Sequence, residues 1–195
     1  GILQPQDGLY TVVERAGENQ SCQVIGALLH VLVGPEDPAA LIDQLADPVI
    51  KVVTLTITEK GYLYDSVNDG LQWAHPDVQR DIDNFGVTPV TAVGYLAAAL
   101  QKRYRSGVSG LTLLSCDNLS HNGRILQRVV CDFLARVDTD TLTWVEENVT
   151  FPCSMVDRIV PASTEKDLSA LQQSLGVRDE AAVFTEPFSQ WVIEN

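Results

Sequence analysis

The chain has 195 residues, 45% of them hydrophobic, with 26 acidic against 13 basic side chains and a formal net charge of −13. This is enough apolar material for one sizeable core, so a single domain is expected; a field of this sign repels phosphate backbones and anionic lipids, which makes nucleic acid and membranes poor partners and leaves small molecules, anionic ones included, as ligands. No run approaches the roughly 20 apolar residues that span a bilayer and no secretory leader opens the chain, so a cytoplasmic protein is expected; Gly1 rather than Met comes first, and the chain reads as a piece of a longer one.

Residues 9–14 (LYTVVE) form a β-branched, aromatic run, and residues 22–33 (CQVIGALLHVLV) form a second apolar run after a polar turn at Gly17-Glu18-Asn19. Both are expected as strands, the second partly helical or irregular. Residues 35–46 read as a short helix with Pro38 in its first turn and Leu41, Ile42 and Leu45 on one face. Residues 49–58 (VIKVVTLTIT) are the clearest strand, a run of the sort that a parallel strand buried on both faces requires. A polar excursion with one short helix fills residues 62–87. Thr88 and Pro89 then open a helix to about Ser106, with Val90, Val93, Leu96, Ala97 and Leu100 at helical spacing and Gly107 closing it.

Residues 111–115 (LTLLS) are a second buried strand that ends in Cys116-Asp117-Asn118, and residues 119–137 a helix with Ile125, Val129, Cys131, Phe133 and Leu134 inward. Residues 140–148 add a helical turn or two, 154–160 an extended segment, 165–175 a helix closed by Gly176, and 181–195 an extended stretch interrupted by Pro187. Buried strands alternating with helices predict an α/β fold with a mostly parallel sheet, whose ligands sit at the carboxyl ends of strands. Two polar tips occupy such ends: Thr58-Glu59 and Asp117-Asn118.

The Asn118 amide could donate a hydrogen bond to a carbonyl oxygen that becomes an alkoxide, the electrostatic help that a hydride transfer needs. The alternative is an Asx turn with a helix N-cap. Thr56, Thr58 and Glu59 offer hydroxyls and a carboxylate to a ribose or nicotinamide, or simply cap the next turn. Asp157 and Arg158 are charged inside an apolar run, so they are expected as a pair that faces a site or bridges two elements. His30 is expected in the core and His75 and His121 in polar loops, with no arrangement for nucleophilic catalysis. Glu146-Glu147 falls on a solvated helix, against a glycosidase-like carboxylate pair. The four cysteines, Cys22, Cys116, Cys131 and Cys153, contain no C-x-x-C pair and are expected as buried free thiols, with no metal. No G-x-G-x-x-G is present to cradle a pyrophosphate.

Four motifs in order, ITEKGY (57–62), SCDN with the following Asn122-Gly123, WVEENVTFPCSMVDRIVP (144–161) and EPFSQWVIEN (186–195), resemble the long-chain polyol and sugar-acid dehydrogenases. That family includes mannitol 2-dehydrogenase, fructuronate reductase and tagaturonate reductase. The resemblance runs from about Asp7 to Asn195, and around Cys153 it is most similar to the fructuronate reductase (D-mannonate oxidoreductase) branch. It implies an NAD-dependent, metal-free interconversion of D-mannonate and D-fructuronate on a Rossmann-like domain that lacks its first strand-helix-strand unit in this chain. By position, Asn118 matches the asparagine that polarises the substrate oxygen beside the cofactor, Asp157 the aspartate that contacts substrate hydroxyls, and Thr58 and Glu59 the loop beside the nicotinamide.

The family's lysine base belongs to a C-terminal helical domain that would begin beyond Asn195, and none of Lys51, Lys60, Lys102 or Lys166 is followed by the asparagine and histidine that accompany it. The glycine-rich phosphate loop would precede Gly1. Residues 1–195 are therefore expected to be a partial dinucleotide-binding domain, inactive alone, with an uncovered sheet flank that favours self-association. The same chemistry on mannitol or tagaturonate is one rival; a non-catalytic assembly or regulatory module is another.

Overall fold

The computed structural model describes residues 2–17 and 19–194; Gly1, the turn residue Glu18 and Asn195 of the last motif lie outside the described residues. In chain order the strands are β1 (Tyr10–Ala16), β2 (Asn19–Ile25), β3 (Val52–Leu55), β4 (Tyr64–Asp65), β5 (Gly70–Leu71), β6 (Thr112–Ser115), β7 (Ser154–Asp157), β8 (Val183–Thr185) and β9 (Gln190–Ile193). The helices are α1 (Pro38–Ala46), α2 (Thr58–Gly61), α3 (Pro76–Asp83), α4 (Ala92–Arg105), α5 (Asn122–Val137), α6 (Thr139–Asn148) and α7 (Glu165–Leu175). Where composition suggests one domain, the chain divides into two compact units, residues 1–31 with 157–190, and residues 32–156 with 191–195. Among the described residues no helix is long and apolar enough to cross a membrane.

The first unit is a sheet in the order β2-β1-β8, with β1 antiparallel to β2 and parallel to β8. Burial alternates along β1, the period of a strand with one covered face. Val13, Phe184 and Ala182 pack there against Leu168 and Leu171 of α7. Helix α7 has the predicted bounds because both ends are chemically marked. Thr164 and Asp167 form a reciprocal capping box, and Gly176 closes the helix at φ 77°. Arg15 adds an ion pair to Asp167 at 2.7 Å. His30 is exposed, not in the core.

In the second unit, β3 and β6 are parallel and α4, α5 and α6 supply most of the core, with Leu96, Leu100, Leu113, Leu126, Val129 and Phe133 in one cluster. The α5 face is as expected except that Ile125 and Cys131 are only half-buried. Strand β3 is shorter than the apolar run predicts, and the expectation that it is buried on both faces fails. Val49 is 79% and Val52 52% exposed, and among the described residues β3 pairs with β6 alone. Helix α4 starts at Ala92 rather than at Thr88-Pro89. The buried carboxylate of Asp81 accepts from the backbone N–H of Val90 and Thr91 and from the Thr91 hydroxyl, holding Thr91 extended as the N-cap. The polar excursion contains the antiparallel hairpin β4–β5 and α3, and Asp132 of α5 pins the hairpin by accepting from Leu71 N–H at 2.9 Å.

Arg103, at the end of α4, is fully buried. It donates to the carbonyls of Leu45, Asp47, Ile50 and Ser109, and so fastens the segments that lead into β3 and β6. The cysteines are free, but Cys22 is exposed and the other three are half-buried; burial pushes the Cys131 thiol up to about 11.

Candidate functional site

Because β3 and β6 are parallel and in register, Leu55 opposite Ser115, both strands end at the same edge. The chain leaves them at Thr58 and Asp117, the two polar tips. The backbone N–H of Cys116 still donates to the Leu55 carbonyl at 2.8 Å, after which the strands part.

Asp117 joins the tips. Its Oδ2 accepts from Ile57 N–H at 2.9 Å and its Oδ1 from Thr58 N–H at 3.0 Å. These bonds satisfy amides at the start of α2 and help hold Thr58 in the left-handed region (φ 62°), which a β-branched residue rarely adopts unaided. Tyr62 lies beneath, fully buried. Its hydroxyl donates to Asp117 Oδ2 at 2.7 Å and shares a 2.5 Å hydrogen bond with the Ser115 hydroxyl. Burial first, reinforced by the Asp117 carboxylate, holds the Tyr62 phenol far above the usual phenol range, so it stays protonated.

On the other side of the tip, Asn122 is 1% exposed. Its amide nitrogen donates to the carbonyls of Ser115 (3.2 Å), Asp117 (3.0 Å) and Ser154 (2.8 Å), while its oxygen accepts from Ser154 N–H at 3.0 Å. The Asp117 carbonyl also accepts from Leu119 N–H at 2.8 Å, which makes Asn118 the centre of a three-residue turn. The Asn118 side chain is exposed and makes no hydrogen bond among the described residues. It is not a helix cap: that position belongs to His121, left-handed at φ 56° and with no side-chain cap bond. Gly123 follows for a steric reason. A Cβ there would lie 2.4 Å from the Phe151 carbonyl oxygen and 2.5 Å from that of Pro152.

Thr58, Glu59 and Asn118 thus meet at one sheet edge as the sequence suggests, all three exposed. Beside them a cavity of about 410 Å³ is lined by Glu59, Tyr62, Leu119, Ser120 and Ile125, among others. The Asp157-Arg158 pair does not form. Arg158 instead donates to Glu14 at 2.6 Å and to the Glu186 carbonyl, bridging β1 and the segment after β8; Asp157 is exposed and belongs to the first unit, and its side chain makes no hydrogen bond among the described residues. His75 caps α3, its Nδ1 accepting from Asp77 N–H at 3.3 Å. Sequence reasoning missed the linking roles of Tyr62, Asp117 and Asn122, although all three stand inside or beside the quoted motifs.

A family profile, the mannitol dehydrogenase Rossmann domain, matches residues 2–195. The mannitol 2-dehydrogenase of Aspergillus clavatus is 41% identical over 194 residues, 99% of this chain and 39% of that protein. The D-mannonate oxidoreductase of Escherichia coli K12 is 39% identical over 194 residues, 99% of this chain and 40% of that protein. The solved ternary complex of Pseudomonas fluorescens mannitol 2-dehydrogenase with NAD and D-mannitol has a TM-score of 0.93 at 36% identity, covering 99% of this chain and 39% of that one. The chain therefore spans about two fifths of the length of these relatives. The expected Rossmann-like fold and family are borne out, while near-equal identities to polyol and sugar-acid enzymes leave the two branches unseparated.

Proposed function

This chain belongs to the mannitol dehydrogenase family, and from that footing we propose that the protein carrying it is a cytoplasmic NAD-dependent oxidoreductase that interconverts D-mannonate and D-fructuronate. The observation that carries the reading is the bare amide of Asn118. It stands exposed at the apex of a turn that is pinned from both sides, at the carboxyl ends of two parallel strands. Ligands of doubly wound sheets bind in that place.

The donor set at the tip fits one end of NAD. Thr58, Glu59 and Asn118 offer an exposed hydroxyl, carboxylate and amide that suit ribose hydroxyls and a carboxamide, and Glu59 also lines the cavity beside the tip. Residues 1–195 contain no G-x-G-x-x-G to cradle the pyrophosphate, so they are read as part of a dinucleotide-binding domain. When bound, NAD supplies the hydride acceptor. Asn118 donates its N–H to the substrate oxygen and stabilises the charge that grows there. By motif position alone Asp157 is assigned to substrate hydroxyls, and none of Lys51, Lys60, Lys102 and Lys166 carries the motif of the family's lysine base.

Similar identity to a mannitol 2-dehydrogenase supports a second reading, the same chemistry on an uncharged polyol. NADH oxidation by the purified enzyme, assayed against D-fructuronate, D-tagaturonate and fructose, separates the readings. The highest kcat/KM on fructuronate supports the first, and on fructose the second. No turnover on any of them refutes both and favours a non-catalytic module. Asn118→Ala is expected to lower kcat by roughly 100- to 1000-fold, as for loss of one oxyanion donor; a loss under threefold removes Asn118 from the chemistry.

A further inference from the structure

We propose that Tyr62 is a positioning residue for Asn118, acting through Asp117. The inference rests on the reading of Asn118 as the group that polarises the substrate oxygen. Packing alone does not call for a tyrosine here. A phenylalanine ring would fill the same fully buried space without burying a hydroxyl, which is costly unless the hydroxyl is hydrogen-bonded. The hydroxyl is used twice, on Ser115 at 2.5 Å and on Asp117 at 2.7 Å.

Those partners are the last residue of β6 and the residue immediately before Asn118. The same Asp117 carboxylate holds the backbone of Ile57 and Thr58, so Tyr62 completes the set of donors that orients it. With the Asp117 carboxylate held on one side by Tyr62 and its carbonyl on the other by Asn122, the backbone that carries Asn118 is anchored at the residue before it. Tyr62 also lines the cavity beside the tip, so the support lies next to the surface it organises. Catalytic donors are effective when they need no reorganisation at the moment of reaction, and small misplacements cost large factors in rate.

The test is Tyr62→Phe in the enzyme that carries this chain, with Val145→Ala, a buried core substitution on α6, as a control for lost stability. Tyr62→Phe is expected to lower kcat about tenfold or more while KM for sugar and for NADH stays within about twofold. Val145→Ala should lower Tm and leave kcat unchanged. In an Asn118→Ala background Tyr62→Phe should cost nothing further, because the group it positions is gone. Hydrogen–deuterium exchange at residues 116–120 should accelerate in Tyr62→Phe and not in Val145→Ala. Unchanged exchange, a kcat loss matched by the control, or additivity with Asn118→Ala overturns the proposal. If the wild-type enzyme turns over no polyol or sugar acid, the functional reading fails separately, and the exchange measurement alone decides whether Tyr62 orders the Asn118 turn.

Discussion

Replacing Arg103 by methionine probes what holds the roots of the two parallel strands, at the end of the sheet opposite the candidate site. The guanidinium is fully buried and reaches Asp47 and Ser109 carbonyls at 2.8 Å each, with longer bonds of 3.3 Å to Leu45 and Ile50. Methionine fills most of the space but donates nothing. Each buried acceptor left without a donor costs about 1–3 kcal/mol, so losing the two short bonds costs roughly 4 kcal/mol. Relief from burying a charge returns part of this, and a net loss of about 3 kcal/mol is expected. For a chain of this size that corresponds to a fall in Tm of about 6–12 °C. Arg103→Lys keeps the charge but cannot reach all four carbonyls, and should lie between. The assay is urea unfolding followed by circular dichroism, with Tm as a second readout. A methionine variant within about 1 kcal/mol of wild type would show that water or backbone shifts satisfy those carbonyls, and would refute the argument.

Two further substitutions probe local chemistry. The Thr164 hydroxyl above all, with Arg15 beside it, holds the Asp167 carboxyl down at about 2. Its unfolded value is about 3.9, so its contribution to stability is complete above that pH and lost as pH falls towards 2. Asp167→Asn should therefore flatten stability against pH between about 4 and 2, and unfolding curves that stay parallel to wild type in that window would contradict the assignment. Gly123→Ala forces a Cβ against the Phe151 and Pro152 carbonyls and is expected to destabilise by about 1–3 kcal/mol, as overpacking does; an unchanged urea midpoint would mean that this backbone has room to move.

What the sequence discloses and what it hides separate by range. Helix α7 is readable to the residue because Thr164, Asp167 and Gly176 sit within its own turns. The buried face of α5 is readable from the spacing of Val129, Phe133 and Leu134. Features that depend on residues far apart in sequence are not. The start of α4 is set by Asp81, ten residues before the Thr91 it orders. Pairing of β1 with β8 joins Val13 to Phe184, and no local pattern announces it. The expected burial of β3 came from its β-branched run, yet composition cannot say whether a neighbour covers a strand. At the site, the tips, Asn118 included, are visible as polar breaks after apolar runs. The side chains that tie them together are not, because Tyr62 and Ser115 lie 53 positions apart and meet only once the strands are parallel. Asp157 and Arg158 show the reverse error: adjacency suggests a pair, whereas alternation along an extended strand turns neighbours to opposite faces.

Trp73, Trp144 and Trp191 all belong to the unit of residues 32–156 and 191–195, whereas the other unit has no tryptophan and carries the exposed thiol of Cys22. The molecule therefore comes with two separate optical channels. Intrinsic ultraviolet emission follows one unit, and a dye coupled to Cys22 follows the other. Denaturation curves recorded in both channels on a single sample would coincide if the halves melt as one cooperative body and split if each melts alone.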